Sequence, residues 1–390
     1  MRRAAPRPAT RPAARRDADR MARIVTVYNT ERHAFDAPSE MAHIRWRRIS
    51  EALARLGHQV DMASAELGLR VRGRPIEVAP NLRRVPLARV DWEAYDVVKT
   101  LYHQGFETLR RHGGDGHRFI IARLASVVGP ADMPGIYFFG ARRARMFEVQ
   151  RAIHARARHV AMNAESARDL WTEAIGAHPG FLIVPGAADA ELPPPGPDPY
   201  PPRDGFRCVF SGNLYGRVQP EAERALVAKL NTLGERIAPE GRLFVFGTGD
   251  RGRLDRRWVT HLGAVPHASS WDHMRHADVG VVVSAGAFMH NNESTKVYHY
   301  LRVGLPTVSE SGFPNDHVVR ESGIGTVVPS GDADALASAV RAAAAREWDR
   351  EAATRYILAS HTWDRRAAVY DAVIARGLLA RGSHARGSHA

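Results

Sequence analysis

A repeated unit constrains this chain more than anything else in it: a short apolar strand runs into a polar or glycine turn, then a helix, then another apolar strand. Its clearest copy lies between Asp278 and Ser330. DVGVVVS (Asp278–Ser284) reads as a strand and AGAFMHNNES (Ala285–Ser294) as a polar turn. TKVYHYLRVG (Thr295–Gly304) reads as a helix with a lysine and a histidine one turn apart, and LPTVSE (Leu305–Glu310) as the next strand. Continuous apolar strands joined through a helix make a parallel βαβ unit, covered on both faces of its sheet. The helix start offers unpaired N–H groups and the positive end of the dipole. Asn291, Asn292, Glu293, Ser294 and Thr295 add side-chain hydrogen-bonding groups there. Such a turn suits a ligand bearing phosphates and hydroxyls.

The first half repeats the pattern. MARIVTVYN (Met21–Asn29) reads as a buried strand, and a helix is predicted from about Met41 to Leu56, with apolar residues at helical spacing and Gly57 as its stop. HQVDMAS (His58–Ser64) is the next strand. In such folds the loops at the carboxyl ends of the strands build the site. The loop Thr30–Glu40 supplies His33, Asp36, Ser39 and Glu40; Ser39 and Glu40 also suit a helix cap and the dipole, whereas Asp36 has no such duty. YDVVKTLYHQG (Tyr95–Gly105) reads as a strand whose end carries His103, the position of a general base or hydroxyl-orienting group. FIIAR (Phe119–Arg123), HVAMN at His159 and FLIVPGAAD (Phe181–Asp189) continue the sheet.

ELPPPGPDPYPPRDG (Glu191–Gly205) holds seven prolines, which no helix or sheet interior accommodates, and reads as an interdomain linker. Beyond it FRCVFSGNLYGR (Phe206–Arg217) restarts the pattern. Gly212 lets backbone approach a ligand, and Asn213 and Arg217 can reach phosphate. RLFVFGTGD repeats strand and glycine turn at Gly247, and the loop of WVTHLGAVPH presents backbone near Val265 that can read a base edge. Both halves are expected to be doubly wound, Rossmann-like α/β domains facing across a cleft. The expected partition is 1–20, a disordered basic extension; 21–190, the first domain; 191–205, the linker; 206–362, the second domain; 363–375, a helix packing back on the first domain; and 376–390, a tail.

Composition narrows the class. The 390 residues suit two domains, and no run approaches the length of a membrane-spanning helix. The one cysteine, Cys208, excludes an internal disulfide framework and fits a reducing cytoplasm. The net charge of +13 is concentrated in the two tails, leaving +5 for residues 21–375. That modest excess suits anionic ligands or peripheral contact with an anionic membrane more than nucleic acid, for which no aromatic-interleaved basic patch is present. G-x-x-x-x-G-K-[ST], G-x-S-x-G and HExxH are all absent.

In order, FSGNLYGR, FVFGTGD, HLGAVPH, HADVGVVVS, GLPTVSESGFPNDHVV and SGIGTVVPSGD resemble the donor-domain blocks of GT-B fold glycosyltransferases of the group 1, or family 4-like, class. The resemblance covers roughly Met21 to Ile374. The entry Gly57-His58-x-Val60 and the YDVV strand resemble that family's acceptor domain, and LIVPGAAD stands at its usual end. The family commonly has two glutamates eight positions apart; here His299 occupies the second place, and Glu293 lies six residues before it. The lysine-bearing helix STKVYHYLRVGLP is also similar to that of membrane-associated glucuronosyltransferases.

The resemblance implies transfer of a sugar from a UDP- or GDP-linked donor to a hydroxyl-bearing glycan or lipid acceptor, with no tightly bound cofactor and no metal. Gly212, Asn213, Arg217, Gly247, Val265, Glu293, Ser294, Thr295, Lys296 and His299 would form the donor site. Lys296, Arg217 and the helix start would neutralise the departing diphosphate. Asp36 or His103 would take the acceptor proton in an inverting reaction, and the leaving phosphate itself in a retaining one. A nucleotide-sugar 2-epimerase and a non-catalytic sugar-nucleotide-binding protein are the alternative readings.

Overall fold

The computed structural model describes residues 21–28, 40–64, 74–130, 140–202, 205–214, 220–249, 251–286, 289 and 291–387. Residues 1–20, Asp36 and Arg217 lie outside these. Among the described residues there are two sheets. The first comprises β1 (Arg23–Val27), β2 (Gln59–Ser64), β3 (Ile76–Ala79), β4 (Leu82–Pro86), β5 (Val97–Leu101), β6 (Ile120–Arg123), β7 (His159–Met162) and β8 (Phe181–Ile183). Its order is β3-β4-β2-β1-β5-β6-β7-β8, parallel except for the β3–β4 hairpin. The second comprises β9 (Phe206–Ser211), β10 (Gly241–Phe246), β11 (Val259–Gly263), β12 (Val279–Val282), β13 (Thr307–Glu310) and β14 (Gly325–Val328). It runs β11-β10-β9-β12-β13-β14, all parallel, so its order reverses between β9 and β12.

Both sheets are doubly wound because their strands are apolar on both faces. Ile24, Val60, Val97 and Ile121 pack on one side, toward α1 (Met41–Arg55) and α11 (Trp363–Gly387); Val25, Val98, Ile120 and Val160 pack on the other. The second sheet alternates likewise, with Cys208, Leu243, Val245 and Val281 on one face and Val209, Phe244 and Val282 on the other. Cys208 is thus buried core.

Several elements differ from expectation. The β3–β4 hairpin, α3 (Gly140–Arg156) and α10 (Arg350–Ser360) carry weak sequence signals; α3, with its many arginines, lacks a clean apolar stripe. The strand expected over Tyr95–Gly105 ends at Leu101, because Tyr102 takes φ +60° and starts α2 (Tyr102–Arg111). α11 runs on to Gly387, past the expected start of a tail at 376, because alanine, leucine and arginine sustain a helix. Its Trp363, Ala367, Tyr370, Val373 and Ile374 share a core with the first sheet.

The chain crosses between the sheets twice, and the crossings touch. Ala188 bridges Thr362, and the Ala188 N–H donates to the His361 carbonyl at 2.9 Å. The proline-rich segment is pinned to α6 (His267–Arg275): the Gly196 N–H donates to Asp272 at 3.0 Å, and Arg275 donates to the Pro193 carbonyl at 2.7 Å.

Candidate active site

The carboxyl ends of β9, β10 and β12 converge on the start of α7 (Thr295–Arg302), the strand-order reversal at which ligands of open α/β sheets lie. Glycines shape this floor. The Gly212 N–H donates to the Phe246 carbonyl at 2.9 Å, and Gly247 (φ +149°) packs so closely that a Cβ there would lie 1.9 Å from the Gly212 carbonyl oxygen. A Cβ on Gly212 would lie 2.9 Å from the Lys296 ammonium. Lys296 therefore occupies the space left above β9, with its Nζ 4.9 Å from the centre of the Phe210 ring. No hydrogen-bond or ion-pair partner meets it among the described residues, and burial pulls its pKa down to about 8.

Ser294 caps α7 with its backbone; its N–H donates to Asn315 at 3.0 Å, its carbonyl accepts from Asn315 at 2.8 Å, and its buried hydroxyl has no partner among the described residues. Thr295 is half-buried beside it, Asn213 is exposed after β9, and Val265 is half-buried in the loop after β11. All of them follow strands of the second sheet on its carboxyl side, and the Thr295 hydroxyl lies beside Gly186 of the first domain, 3.4 Å from where a Cβ on that glycine would be.

Three other expected site residues point elsewhere. Glu293 reaches the first domain, accepting from the Gly186 N–H and from the Tyr298 hydroxyl at 2.8 Å; burial raises its pKa, against the pull of Arg45. Its neighbour Asn292 accepts from Asn163 of the first domain. His299 turns to the domain crossing, 5.0 Å from Trp271 and 5.6 Å from His267 ring to ring, and burial lowers its pKa to about 3. It is a neutral imidazole in the core of the join, which is where a polar helix residue goes when its side faces another helix. His103 sits in the first turn of α2, 2% exposed, within 3.2 Å of Gln150; burial lowers its pKa to about 4.

A second group of polar residues belongs to none of the sequence motifs. Arg45, Lys99 and Arg123 lie buried on the α11 side of the first sheet with Tyr102 and Tyr370. The signal was available: a lysine inside VVKTL and an arginine closing IIAR interrupt strands that are otherwise apolar. No group of three His, Cys, Asp or Glu residues is arranged as metal ligands among the described residues, and no described helix is long and apolar enough to cross a membrane.

The sequence matches no protein-family model and no curated protein. Its structure is similar to solved ones over nearly the whole chain. A sucrose-phosphate synthase from Thermosynechococcus elongatus is 18% identical, with a TM-score of 0.58 over 93% of this chain and 100% of its own. An α,α-trehalose-phosphate synthase (UDP-forming) from Burkholderia vietnamiensis is 10% identical, with a TM-score of 0.61 over 92% and 100%. AviGT4, a glycosyltransferase involved in avilamycin A biosynthesis, is 18% identical, with a TM-score of 0.59 over 92% and 98%. The fold of this chain is that of the GT-B glycosyltransferases. At these identities the likeness is one of architecture.

Proposed function

We propose that this protein is a glycosyltransferase that moves a sugar from a UDP- or GDP-linked donor to a hydroxyl acceptor, in polysaccharide, lipid-linked glycan or glycoconjugate synthesis. The observation that carries the reading is the Lys296 ammonium at the start of α7, unpaired among the described residues and above the Gly212–Gly247 floor. A diphosphate there gains a cation in a poorly solvated site, where such an interaction is stronger than in water. The bond from the anomeric carbon to the diphosphate breaks as the acceptor oxygen forms the new one, and Lys296 meets the charge that develops on the leaving oxygen. Arg217 is proposed as a second cation and needs no metal beside it. The acceptor proton passes to Asp36, to His103 or to the leaving phosphate. The hold of Gln150 on His103 supports one of the other two.

The acceptor is assigned to the first domain. Exposed Arg142, Arg145, Arg151 and Arg156 along α3 support peripheral contact with an anionic surface. The test is turnover: purified protein given UDP- and GDP-sugars, with and without lipid-linked acceptors, should release free nucleoside diphosphate. Tight binding of UDP or GDP with no turnover of any donor would leave only a binding protein.

A further inference from the structure

The first domain buries three cations that the donor site does not use. Arg45 from α1, Lys99 from β5 and Arg123 from β6 are 5%, 4% and 1% exposed. Arg45 donates to the Tyr102 hydroxyl at 2.8 Å, and its Nε has no partner among the described residues. Arg123 donates to the carbonyls of Leu124 and, at 3.2 Å, Val184, and it faces the Tyr370 hydroxyl. Lys99 makes no hydrogen bond among the described residues; its ammonium lies 4.7 Å from the centre of the Tyr370 ring. One carboxylate, Glu293, acts on both arginines.

Two arginines against one carboxylate leave an excess of one positive charge, and Lys99 raises it to two when protonated. An uncompensated buried ion is costly, so a purely structural role would favour apolar residues of the same volume. The cluster also lies in a meaningful place. Arg123 closes β6 at its carboxyl end and Lys99 lies mid-strand in the adjacent β5, on the same face of the sheet, and Tyr102, which aims its hydroxyl at Arg45, holds a left-handed backbone conformation that a bulky residue adopts only under constraint. The Gly186–Glu293 contact with the second domain is next to it.

We propose that Arg45, Lys99 and Arg123, with the Tyr102 and Tyr370 hydroxyls, form the binding site for a phosphate monoester carried by the acceptor. This rests on reading the protein as a glycosyltransferase. A phosphate monoester carries about −1.5 to −2 at neutral pH with three acceptor oxygens, which matches both the excess charge and the number of cations; a carboxylate would leave a positive charge unmatched. The phosphate belongs either to a soluble sugar phosphate or to a lipid phosphate.

Titration calorimetry on the full chain tests this with inorganic phosphate, glucose 6-phosphate, glucose, UDP, and phosphatidylcholine vesicles containing a polyprenyl phosphate. Lys99→Met, which keeps the volume and removes the charge, should weaken phosphate and glucose 6-phosphate binding at least tenfold and leave UDP affinity unchanged. Lys296→Met should do the reverse. Binding confined to the vesicles, and lost in Lys99→Met, assigns the phosphate to a lipid; binding of glucose 6-phosphate assigns it to a soluble sugar. Equal binding of glucose and glucose 6-phosphate overturns the proposal, as does phosphate binding that survives Lys99→Met or is absent in every arm. Loss of UDP binding by the wild type, with Lys99-dependent phosphate binding intact, would strike the donor reading and not this site.

Discussion

Asp189 and Arg48 form a two-point ion pair at the join between the domains, Nε to Oδ1 at 3.0 Å and Nη2 to Oδ2 at 2.6 Å. The same carboxylate accepts from the Trp363 indole at 2.9 Å and lies 3.2 Å from the His267 Nε2. Arg302 of α7 donates to the Asp189 carbonyl at 2.9 Å. One residue thus gathers α1, α6, α7 and α11 at the place where the chain crosses between the sheets.

Asp189→Ala should destabilise the protein by about 1–3 kcal/mol, because it leaves the buried Trp363 indole N–H without its acceptor and Arg48 with Glu51 alone. Urea unfolding of the variant and wild type measures it. His267 and Arg48 hold the Asp189 pKa well below the usual carboxylate range, against burial. Its contribution is therefore complete above the unfolded value of about 4 and is lost progressively as pH falls below that. The gap between wild type and variant should close in acid and stay open at neutral pH.

Gly212 and Gly247 separate fold from ligand. A Cβ at Gly212 meets only the flexible end of Lys296, whereas one at Gly247 meets backbone at 1.9 Å from a residue with φ +149°. Gly212→Ala should leave stability within about 1 kcal/mol of wild type while lowering nucleoside diphosphate affinity; Gly247→Ala should cost about 1–3 kcal/mol as well. Paired melting curves and UDP titrations tell these outcomes apart.

Because the Lys296 pKa is lowered to about 8, the cation that meets the diphosphate is present below that pH and disappears above it. UDP affinity should fall by about tenfold as pH rises through this value, the scale of one charge-assisted hydrogen bond. The slope should be absent in Lys296→Met.

The Lys99 titration is read in stability. Burial, then Arg123 and Arg45, lower its pKa to about 7; Tyr370, Tyr102 and Glu293 complete its surroundings. The unfolded lysine, with a pKa of about 10.4, holds its proton where the folded one has released it, so stability rises with pH from about 7 to 10. Lys99→Met should melt higher than wild type, most of all below pH 7, with the advantage shrinking toward pH 10.

The parallel sheets and the glycine turns were legible in the chain itself, since apolar runs between glycine punctuation are a local pattern with a local cause. Lys296, Ser294 and Thr295 could be placed at a helix start for the same reason. The direction of a side chain depends on what packs against it, and there sequence reasoning stopped. Glu293 and His299 read as equal partners of Lys296, yet the first crosses to Gly186 and the second turns to Trp271, because the approach of the first domain and of α6 decides which face of α7 is buried. Lys99, Arg123, Arg45 and Tyr370 are scattered over 326 positions from first to last. No periodicity joins them: two strands, α1 and a helix from the far end of the chain must fold together before their charges share one low-dielectric space. The sequence by itself determined the elements and the donor-side helix start; the tertiary structure alone decided which charges meet.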